Sequence, residues 1–339
     1  MTLRILHLVG SAVSDFHADL SRLYAGGCLQ ATADPASYDV HVAYVTPDGQ
    51  WRFPADLGPV AIEAAEPVPL ARAVERIVSW GIDVVVPQMF CLPGMTTYRA
   101  LFDLLDIPYV GNTPDVMALT ADKARAKAVV AAAGVRVPPG EVLRPGEQPS
   151  LEPPVVVKPT DADNSAGVVL VRDRADYPVA LTTAREHGRD VLVETYVELG
   201  REVRCGVLVQ DGELVCLPLE EYAVSTADKP VRTYEDKLRR GEDGELTLVA
   251  KESTRAWILD VDDPLTERVW AAARRCHVAL GCRHYSLFDF RIDPDGEPWF
   301  LEAGLYCSFS PQSVVAVMAA AAGLPLRTLF GRVLQESRR

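Results

Sequence analysis

The sequence YSLFDFRIDPDGEPWFLEAG occupies residues 285–304 and predicts a β-hairpin. Asp295-Gly296 is a preferred two-residue turn, because both residues tolerate the positive φ angles that such a turn requires. With this turn Asp289 faces Glu302, and facing Cβ atoms lie about 4.5–5.5 Å apart. Two carboxylates this close repel each other unless a cation lies between them, and hard oxygen ligands suit Mg²⁺. The hairpin therefore predicts a metal site at Asp289 and Glu302.

Two other interpretations of this hairpin stay open. The carboxylates can lie on a solvated face, or the register can shift by one residue, which would move every side chain to the opposite face. The hydrophobic neighbours Phe288, Phe290, Trp299 and Leu301 are expected to form a core face.

Before the hairpin, the first 115 residues alternate short apolar runs with helical patterns. The expected strands are 3–9, 40–45, 82–86 and 108–111, and the expected helices are 69–79 and 94–105. This alternation predicts a parallel sheet covered by helices. Ligands of such sheets bind beyond the carboxyl ends of the strands. Ser14, after the first strand, and Gln88, after a later one, are therefore candidate ligand contacts.

The rest of the chain predicts two further α/β units. The expected helices are 121–133, 265–280, 311–322 and 326–337, and the expected strands are 154–158, 167–171, 191–197, 203–209, 213–219, 284–292 and 298–302. We expect domains at 1–115, 116–196 and 197–339. Residues 225–252 are polar and poor in apolar periodicity, and a loop of this length is usually functional or disordered. We expect it to be a mobile loop.

Composition excludes several classes of protein. A chain of 339 residues has room for two or three domains. Its 34 basic and 47 acidic residues give a net charge of −13, which argues against a nucleic-acid partner. No apolar run approaches the roughly 20 residues of a membrane helix. The seven cysteines have no CxxC pair, so neither a disulfide framework nor a zinc site is suggested, and we expect a cytoplasmic protein.

Lysine is scarce, with six residues, so its positions carry information. Lys158 ends the apolar run 155–157, where an ammonium group is costly unless it meets an anion. The loop 160–167 that follows contains Ser165 and can direct backbone N–H groups at phosphate oxygens. Neither the GxxxxGK[ST] nor the GxGxxG phosphate-binding motif is present. The sequence thus predicts an anion site at Lys158 and Ser165 that belongs to neither class.

Several blocks of sequence resemble the ATP-grasp ligases of the D-alanine–D-alanine ligase type, in the same order and over nearly the whole chain. They are YVGNTPDVMALTADKARAK (109–127), VVVKPTDADNSAG (155–167), VLVETYVELGREV (191–203), TYEDK (233–237), FDFRIDPDGEPWFLEAG (288–304) and SVVAVMAAAAGLP (313–325). The resemblance implies an ATP-grasp fold of three α/β domains, with ATP between the central and C-terminal sheets. In such enzymes ATP phosphorylates a carboxylate, an amine attacks the acyl phosphate, and phosphate leaves.

The resemblance also implies roles for individual residues. The implied ATP contacts are Lys123, Lys158, Ser165, Glu194, Tyr196, Val197, Glu202 and Lys237. Lys158, Ser165 and Lys237 are the implied catalytic residues, and Lys237 would lie on a mobile loop that closes over the γ-phosphate. Asp289 and Glu302 are the implied ligands of one or two Mg²⁺ ions, for which Mn²⁺ can substitute.

Four departures from the family pattern surround the substrates and not the nucleotide. Gly304 replaces an asparagine metal ligand, Leu287 replaces an arginine, Gln88 replaces a histidine, and the loop 305–310 has a different sequence. We expect that ATP use is retained and that the substrates have changed.

A further resemblance is to the ligases of mycosporine-like amino acid biosynthesis. The blocks include ILHLVGSAVSDFHADLSRLYAGGCL (5–29), residues 86–115 and FLEAGLYCSF (300–309). The implied reaction joins mycosporine-glycine to an amino acid such as serine or threonine, giving an imine such as shinorine or porphyra-334. The phosphorylated atom would be a vinylogous amide oxygen. The implied substrate contacts are Ser14, Gln88, Tyr306, Ser308 and Ser313.

Ser313 precedes a helix, where free N–H groups favour an anion. The resemblance implies that it holds the carboxylate of the attacking amino acid; the alternative is a helix N-cap worth about 1 kcal/mol. Two rival functions also stay open: a dipeptide ligase, D-alanine being one substrate, and a non-catalytic nucleotide-binding regulator. We expect a homodimer acting on small molecules, with no membrane partner.

Overall fold

The computed structural model describes residues 2–162, 165–225 and 255–339. Between 225 and 255 it describes only the backbone of two paired strands, β12 (Leu238–Arg240) and β13 (Leu246–Leu248). Three larger sheets organise the described residues, and helices cover them. The predicted α/β class is confirmed.

The N-terminal sheet has the strand order β3-β2-β1-β4, with β2, β1 and β4 parallel. Its elements are β1 (Leu3–Gly10), α1 (Asp15–Thr32), β2 (Tyr38–Val45), β3 (Trp51–Arg52), α2 (Pro59–Ala64), α3 (Leu70–Trp80), β4 (Val84–Pro87), α4 (Leu92–Met95) and α5 (Thr97–Leu104). In strand β1 residues 5–10 are all buried because both faces of the strand are covered, as is usual in parallel sheets.

The central sheet is antiparallel, with the order β5-β8-β6-β7. Its elements are α6 (Pro114–Ala121), α7 (Lys123–Ala132), β5 (Gly140–Leu143), β6 (Val155–Pro159), β7 (Val169–Val171), α8 (Tyr177–Arg185) and β8 (Val191–Thr195). Helix α8 packs on β6 and β7 around a core that includes Val155, Val157 and Leu181. This core forms a cluster of its own.

The C-terminal sheet is also antiparallel, with the order β14-β11-β9-β15-β16, and β10 pairs with β9. Its elements are β9 (Arg201–Gln210), β10 (Glu213–Cys216), β11 (Glu220–Tyr222), β14 (Ala256–Ile258), α9 (Thr266–Ala279), β15 (Tyr285–Ile292), β16 (Pro298–Ala303), α10 (Val314–Ala321) and α11 (Leu326–Glu336). One hydrophobic cluster joins this sheet to the N-terminal one through Ile5, Val84, Tyr285 and Phe330.

The hairpin of β15 and β16 has a different turn from the predicted one, but Asp289 and Glu302 face each other as predicted. Its loop spans residues 293–297, closed by a bond from Asp293 N to Glu297 O of 3.1 Å, and not a two-residue turn. This shifts the pairing near the loop by one residue. A bulge between Asp289 and Phe290 shifts it back, so Asp289 does face Glu302. The core face carries Phe288, Phe290 and Phe300, whereas the predicted Trp299 and Leu301 are only partly buried.

Several predicted elements require correction. The helix predicted at 94–105 is two helices, α4 and α5. The helix predicted at 121–133 is confirmed as α7, which begins at Lys123 because Asp122 caps it. Residues 108–111 form one bridge, from Val85 to Tyr109, and not a strand. Helices α1, α2, α6 and α8 were not predicted.

No single helix within the described ranges is long and apolar enough to cross a membrane. Helices α10 and α11 reach the required length only together, across a bend of 111°.

Candidate active site

Two adjoining cavities bring the predicted residues together. The first, here called the inter-sheet cleft, lies between the central and C-terminal sheets, and its lining includes Lys158, Ser165, Glu194, Tyr196, Val197, Glu202, Asp289 and Arg291. The second, here called the larger cavity, has a volume of about 440 Å³ and is bounded by α1, residues 90–95, the end of β16 and the start of α10. Lys123, Ala162 and Glu302 line both, so they form a shared wall.

A buried carboxylate lies between two lysines beside the inter-sheet cleft. Glu194 on β8 is 2.5 Å from the Lys158 ammonium and 2.9 Å from that of Lys127, and all three residues are buried. Burial raises the pKa of Glu194, but the two ammonium groups outweigh it and hold that pKa below its ordinary value. Burial lowers the pKa of Lys127 to about 8, against the attraction of Glu194.

Two lysines against one glutamate leave one positive charge in excess when both are protonated. Lys158 lines the cleft, whereas Lys127 lies behind it and donates to Phe300 O. An anion bound at Lys158 would balance this charge, because a buried cation requires a partner. The cluster therefore supports the predicted anion site, and it adds Lys127.

Lys123 is the first residue of α7, which the Asp122 carboxylate caps by accepting from Ala124 N and Arg125 N at 3.0 Å. Its ammonium donates to Ala162 O and lies 3.7 Å from Glu302. Lys123 thus connects the loop after β6 to the C-terminal hairpin, at the shared wall.

The far end of the cleft carries the predicted adenine and ribose contacts. The Tyr196 ring centre lies 5.3 Å from the Arg291 guanidinium and 5.8 Å from that of Arg172. Arg291 also donates to Glu202 at 2.9 Å and to Val197 O at 3.3 Å. Glu202, the predicted ribose contact, is therefore already engaged by Arg291, which the sequence did not predict as a site residue.

Of the predicted catalytic residues, Ser165 lies in the described part of the chain and Lys237 does not. Ser165 lines the cleft with a φ of 59°, a left-handed conformation that is uncommon for a residue with a side chain. Lys237 lies outside the described residues, as does most of the predicted mobile loop 225–252.

The two predicted metal ligands face each other, as expected, but each already contacts a cation. Both oxygens of Asp289 accept from Arg204, one of them from Nη2 at 2.6 Å. Glu302 contacts Lys123. Within the described ranges no group of three or more His, Cys, Asp or Glu side chains is arranged to hold a metal ion. The pair thus offers carboxylate ligands from two strands, and a metal ion at Asp289 would bind alongside Arg204, because a carboxylate has more acceptor sites than the two that Arg204 uses.

Space near this pair remains for a third ligand. A Cβ at Gly304 would have the Leu287 Cδ2 atom, at 4.0 Å, as its nearest neighbour. The missing asparagine is therefore a chemical difference and not a steric one. Two carboxylates in the cleft that Lys158 also lines fit one Mg²⁺, whose remaining ligands are usually phosphate and water.

Tyr306, Ser308 and Ser313 line the larger cavity, as predicted for substrate contacts. One wall is aromatic: the Phe90 ring centre is 5.5 Å from that of Tyr24 and 5.3 Å from that of Tyr306. The cavity therefore combines a broad apolar wall with a few polar groups, as small-molecule sites usually do.

Ser313 is at the N-cap position of α10, but its side chain makes no capping hydrogen bond. Its hydroxyl is buried and has no hydrogen-bond partner of ordinary geometry within the described residues. A buried polar atom without a partner is costly. This arrangement favours a ligand contact over the N-cap alternative.

Ser14 and Gln88 are not in the cavity wall, which corrects the prediction of direct contact. Ser14 caps α1 and lies 2.9 Å from Nδ1 of His17, which does line the cavity. Gln88 is fully buried, donates to Ser308 O at 2.7 Å and contacts His7 at 2.9 Å. The polar atoms of Ser14 and Gln88 are already hydrogen-bonded within the protein. Both residues therefore support groups of the cavity wall without lining the cavity themselves.

The sequence did not predict Lys127, Arg204 or Arg291, nor the lining residues His17, Tyr24 and Phe90. A signal existed for Arg204 and Arg291, which alternate with apolar residues on β9 and β15 and thus share a face with Glu202 and Asp289.

Comparison with known proteins defines the class. The family model described as "D-ala D-ala ligase C-terminus" matches residues 141–335. With the three sheets and the cleft between two of them, this match defines an ATP-grasp carbon–nitrogen ligase that forms ADP, and the predicted enzyme class is confirmed. The chain belongs to the D-alanine–D-alanine ligase family.

Individual relatives match this chain over nearly its full length. A D-alanine–D-alanine ligase of Mycobacterium sp. (strain KMS) is 30% identical, with 98% of this chain and 95% of the relative covered. The VanG D-Ala:D-Ser ligase of Enterococcus faecalis has a TM-score of 0.80 at 24% identity, with 99% and 100% covered. A D-alanine–D-alanine ligase of Bacillus anthracis complexed with ATP has a TM-score of 0.72 at 20% identity, with 99% and 97% covered. The last two show the ATP-grasp fold and thereby confirm its prediction.

Proposed function

We propose that this enzyme transfers the γ-phosphoryl group of ATP to an oxygen of a small substrate in the larger cavity. The amine of an amino acid then displaces the phosphate. The observation that carries the proposal is the shared wall of Lys123 and Glu302, because a phosphoryl group in the inter-sheet cleft and an acceptor in the larger cavity would meet there.

The residues of the cleft have distinct tasks in this proposal. Lys158 and Lys123 bind phosphate oxygens, and Tyr196 with Val197 contacts the adenine. Ser165 and the neighbouring N–H groups are proposed phosphate donors, and Lys237 a further cation from outside the described residues. Asp289 and Glu302 would hold Mg²⁺, which would neutralise charge on the phosphates.

Ser313 orients the second substrate. Its hydroxyl and the N–H groups at the start of α10 donate hydrogen bonds to the α-carboxylate of the amino acid. This places the amine towards the shared wall. Positioning of this kind supplies much of the rate enhancement in two-substrate reactions.

The family relatives support a dipeptide ligase as the specific form of this reaction. In that form both substrates are small amino acids, such as D-alanine with D-alanine or D-serine, and the phosphorylated oxygen belongs to a carboxylate. This form is the reaction after which the family is named.

A second candidate, ligation of mycosporine-glycine to an amino acid, is favoured by the lining of the larger cavity. Leu287 is apolar where the family resemblance implies an arginine near the transferring phosphoryl group. The aromatic wall of Tyr24, Phe90 and Tyr306 suits a flat, conjugated ring. The loop 305–310 that carries Tyr306 is also where the sequence departs from the D-alanine enzymes.

One assay separates these candidates. Purified enzyme with ATP and Mg²⁺ is tested for phosphate release with D-alanine, with D-alanine plus D-serine, with mycosporine-glycine plus serine or threonine, and with no acceptor. Mass spectrometry identifies the product. Release with amino acids alone establishes the dipeptide ligase, and release that requires mycosporine-glycine establishes the second candidate. If nucleotide binds but no pair releases phosphate, the ligase proposal fails and a non-catalytic role remains.

A further inference from the structure

Arg204 lies where the inter-sheet cleft and the larger cavity meet. It is on β9, directly opposite Asp289 on β15. Its Nε and Nη2 donate to the two oxygens of Asp289. Asp289 lines the cleft, whereas Arg204 lines the larger cavity. The guanidinium therefore stands between a proposed metal ligand and the space for the acceptor.

The Arg204 guanidinium is held firmly, yet part of it is available. It lies 5.6 Å from the ring centre of Tyr222 on β11, and its bond to Asp289 is bidentate, which fixes its plane. Its side chain is 17% exposed, and its Nη1 has no acceptor within the described residues. The contacts to Asp289 alone thus do not account for all of its donors.

Few cations are available on the acceptor side. Among the described lining residues of the larger cavity, Lys123 and Arg204 are the only Lys or Arg side chains. Lys123 is already bonded to Ala162 O and close to Glu302. Leu287, on the same face of β15 as Asp289, contributes no charge. Within the described part of the chain, Arg204 is therefore the cation that remains for an oxygen in the larger cavity.

We propose that Arg204 is a catalytic residue that neutralises the substrate oxygen as it accepts the phosphoryl group. The cation then comes from β9 and not from position 287 on β15. This inference rests on the proposed phosphoryl transfer and specifies the residue that serves the acceptor side.

The proposed reaction has two steps, phosphoryl transfer and displacement of phosphate by the amine. The bond from the γ-phosphorus to its bridging oxygen breaks, its electron pair leaves with ADP, and a bond from the γ-phosphorus to the substrate oxygen forms. The amine then attacks the carbon that bears this oxygen. The carbon–oxygen bond breaks, its electrons leave with phosphate, and the nitrogen loses one proton. Arg204 stays protonated throughout and donates from Nη1.

The first test compares Arg204→Met with Arg201→Met. Arg201 is on the same strand and is also ion-paired, with Glu221 at 2.7 Å and Asp263 at 3.0 Å, but it lines neither cavity. We expect kcat to fall about 100-fold or more in Arg204→Met, the usual effect of removing a group that stabilises developing charge. In Arg201→Met, kcat per folded molecule stays within about threefold of wild type.

The second test needs no substrate and so separates this inference from the proposed function. Aluminium fluoride with ADP and Mg²⁺ mimics the transferring phosphoryl group. We expect Arg204→Met to weaken aluminium fluoride binding about 30-fold or more, with ADP affinity changed less than about threefold. Equal aluminium fluoride affinity in Arg204→Met and wild type would overturn the inference, whichever acceptor is found. Absence of turnover with every acceptor would count against the proposed function alone.

Two further variants keep the inference testable if Arg204→Met does not fold. Arg204→Lys keeps a charge opposite Asp289, but one ammonium cannot reproduce the planar fork, so we expect kcat to fall about tenfold or more. In the Arg204→Met/Leu287→Arg double variant, a cation returns from β15, and we expect about a tenfold recovery over Arg204→Met. Wild-type kcat in Arg204→Lys would contradict the inference.

Discussion

The inter-sheet cleft and the larger cavity share a wall, but they are built differently. Charged side chains from regular strands line the cleft, and most are already paired within the protein, as Glu194 is with two lysines. The larger cavity is bounded by loops and helix starts and has an aromatic wall, and the Ser313 hydroxyl has no hydrogen-bond partner of ordinary geometry within the described residues. The charged lining of the cleft thus suits one kind of ligand, a phosphate compound. Substitutions in the larger cavity can change the substrate without altering the cleft.

The largest expected effect comes from replacing Lys158, which lines the cleft, and its neighbour Lys127 provides the control. Lys158 and Lys127 both contact Glu194, but only Lys158 lines the cleft. We expect Lys158→Met to lower kcat about 100- to 1,000-fold, because a fixed cation at the phosphates is lost. Phosphate release at saturating ATP measures this.

Lys127→Met is the matched control. It breaks a buried ion pair, so we expect a loss of up to about 3 kcal/mol in the free energy of unfolding, with a much smaller change in kcat per folded molecule. Equal losses of kcat in the two variants would show that the cleft does not distinguish the two lysines.

In the larger cavity, Ser313→Ala tests whether this hydroxyl binds the amino acid. Loss of a hydrogen bond to a carboxylate costs about 1.5–3 kcal/mol, so we expect KM for the amino acid to rise about 10- to 100-fold while KM for ATP stays constant. Stability should change little, because the hydroxyl does not cap α10. Ser310→Ala, a buried serine outside the cavity wall, serves as control. Lower stability with both KM values intact would identify Ser313 as a structural residue.

A smaller effect tests the metal site at the shared wall. Gly304→Asn adds an oxygen ligand where a Cβ has room. We expect the Mg²⁺ concentration for half-maximal activity to fall about tenfold, equivalent to about 1.4 kcal/mol. Gly304→Ala adds the Cβ without the ligand and should leave the Mg²⁺ dependence unchanged. If both variants behave alike, residue 304 does not approach the metal.

The smallest expected effect concerns the support behind the larger cavity. Burial lowers the pKa of His7 to about 4, against its hydrogen bond to Gln88. The folded pKa lies below the unfolded value of about 6.5, so the unfolded state binds more protons and stability falls as the pH drops from 6.5 towards 4. Between pH 7 and 5.5 we expect wild type to lose about 1 kcal/mol more than His7→Asn. Urea unfolding at the two pH values measures this difference, and parallel losses would exclude His7 as the cause.

Regular strands made much of the cleft predictable. Lys158 was found because an ammonium at the end of a buried strand requires a partner, and the partner is Glu194 on the adjacent strand. The facing of Asp289 and Glu302 was predicted from a two-residue turn that does not form. It holds because the longer loop and the bulge shift the register in opposite directions.

The larger cavity was less predictable, because its residues come from distant parts of the chain. Helix α1 was missed, and with it His17 and Tyr24. Its centre contains Gly26 and Gly27, which lower helix propensity. A Cβ at Gly27 would lie 2.6 Å from the Ser310 hydroxyl, so this glycine lets the helix approach the loop that forms the cavity. A contact over this sequence distance leaves no local pattern.

The separate hydrophobic core of the central sheet has a mechanical consequence. The N-terminal and C-terminal sheets are joined by one apolar cluster, whereas β5–β8 and α8 have a cluster of their own. Polar contacts also connect this unit to the rest of the chain, among them the pair of Glu194 with Lys127 on α7. We therefore expect this unit to tilt relative to the other two sheets more easily than those two sheets move relative to each other. Such a tilt would change the height of the gap that admits a nucleotide and would leave the floor beneath the acceptor rigid.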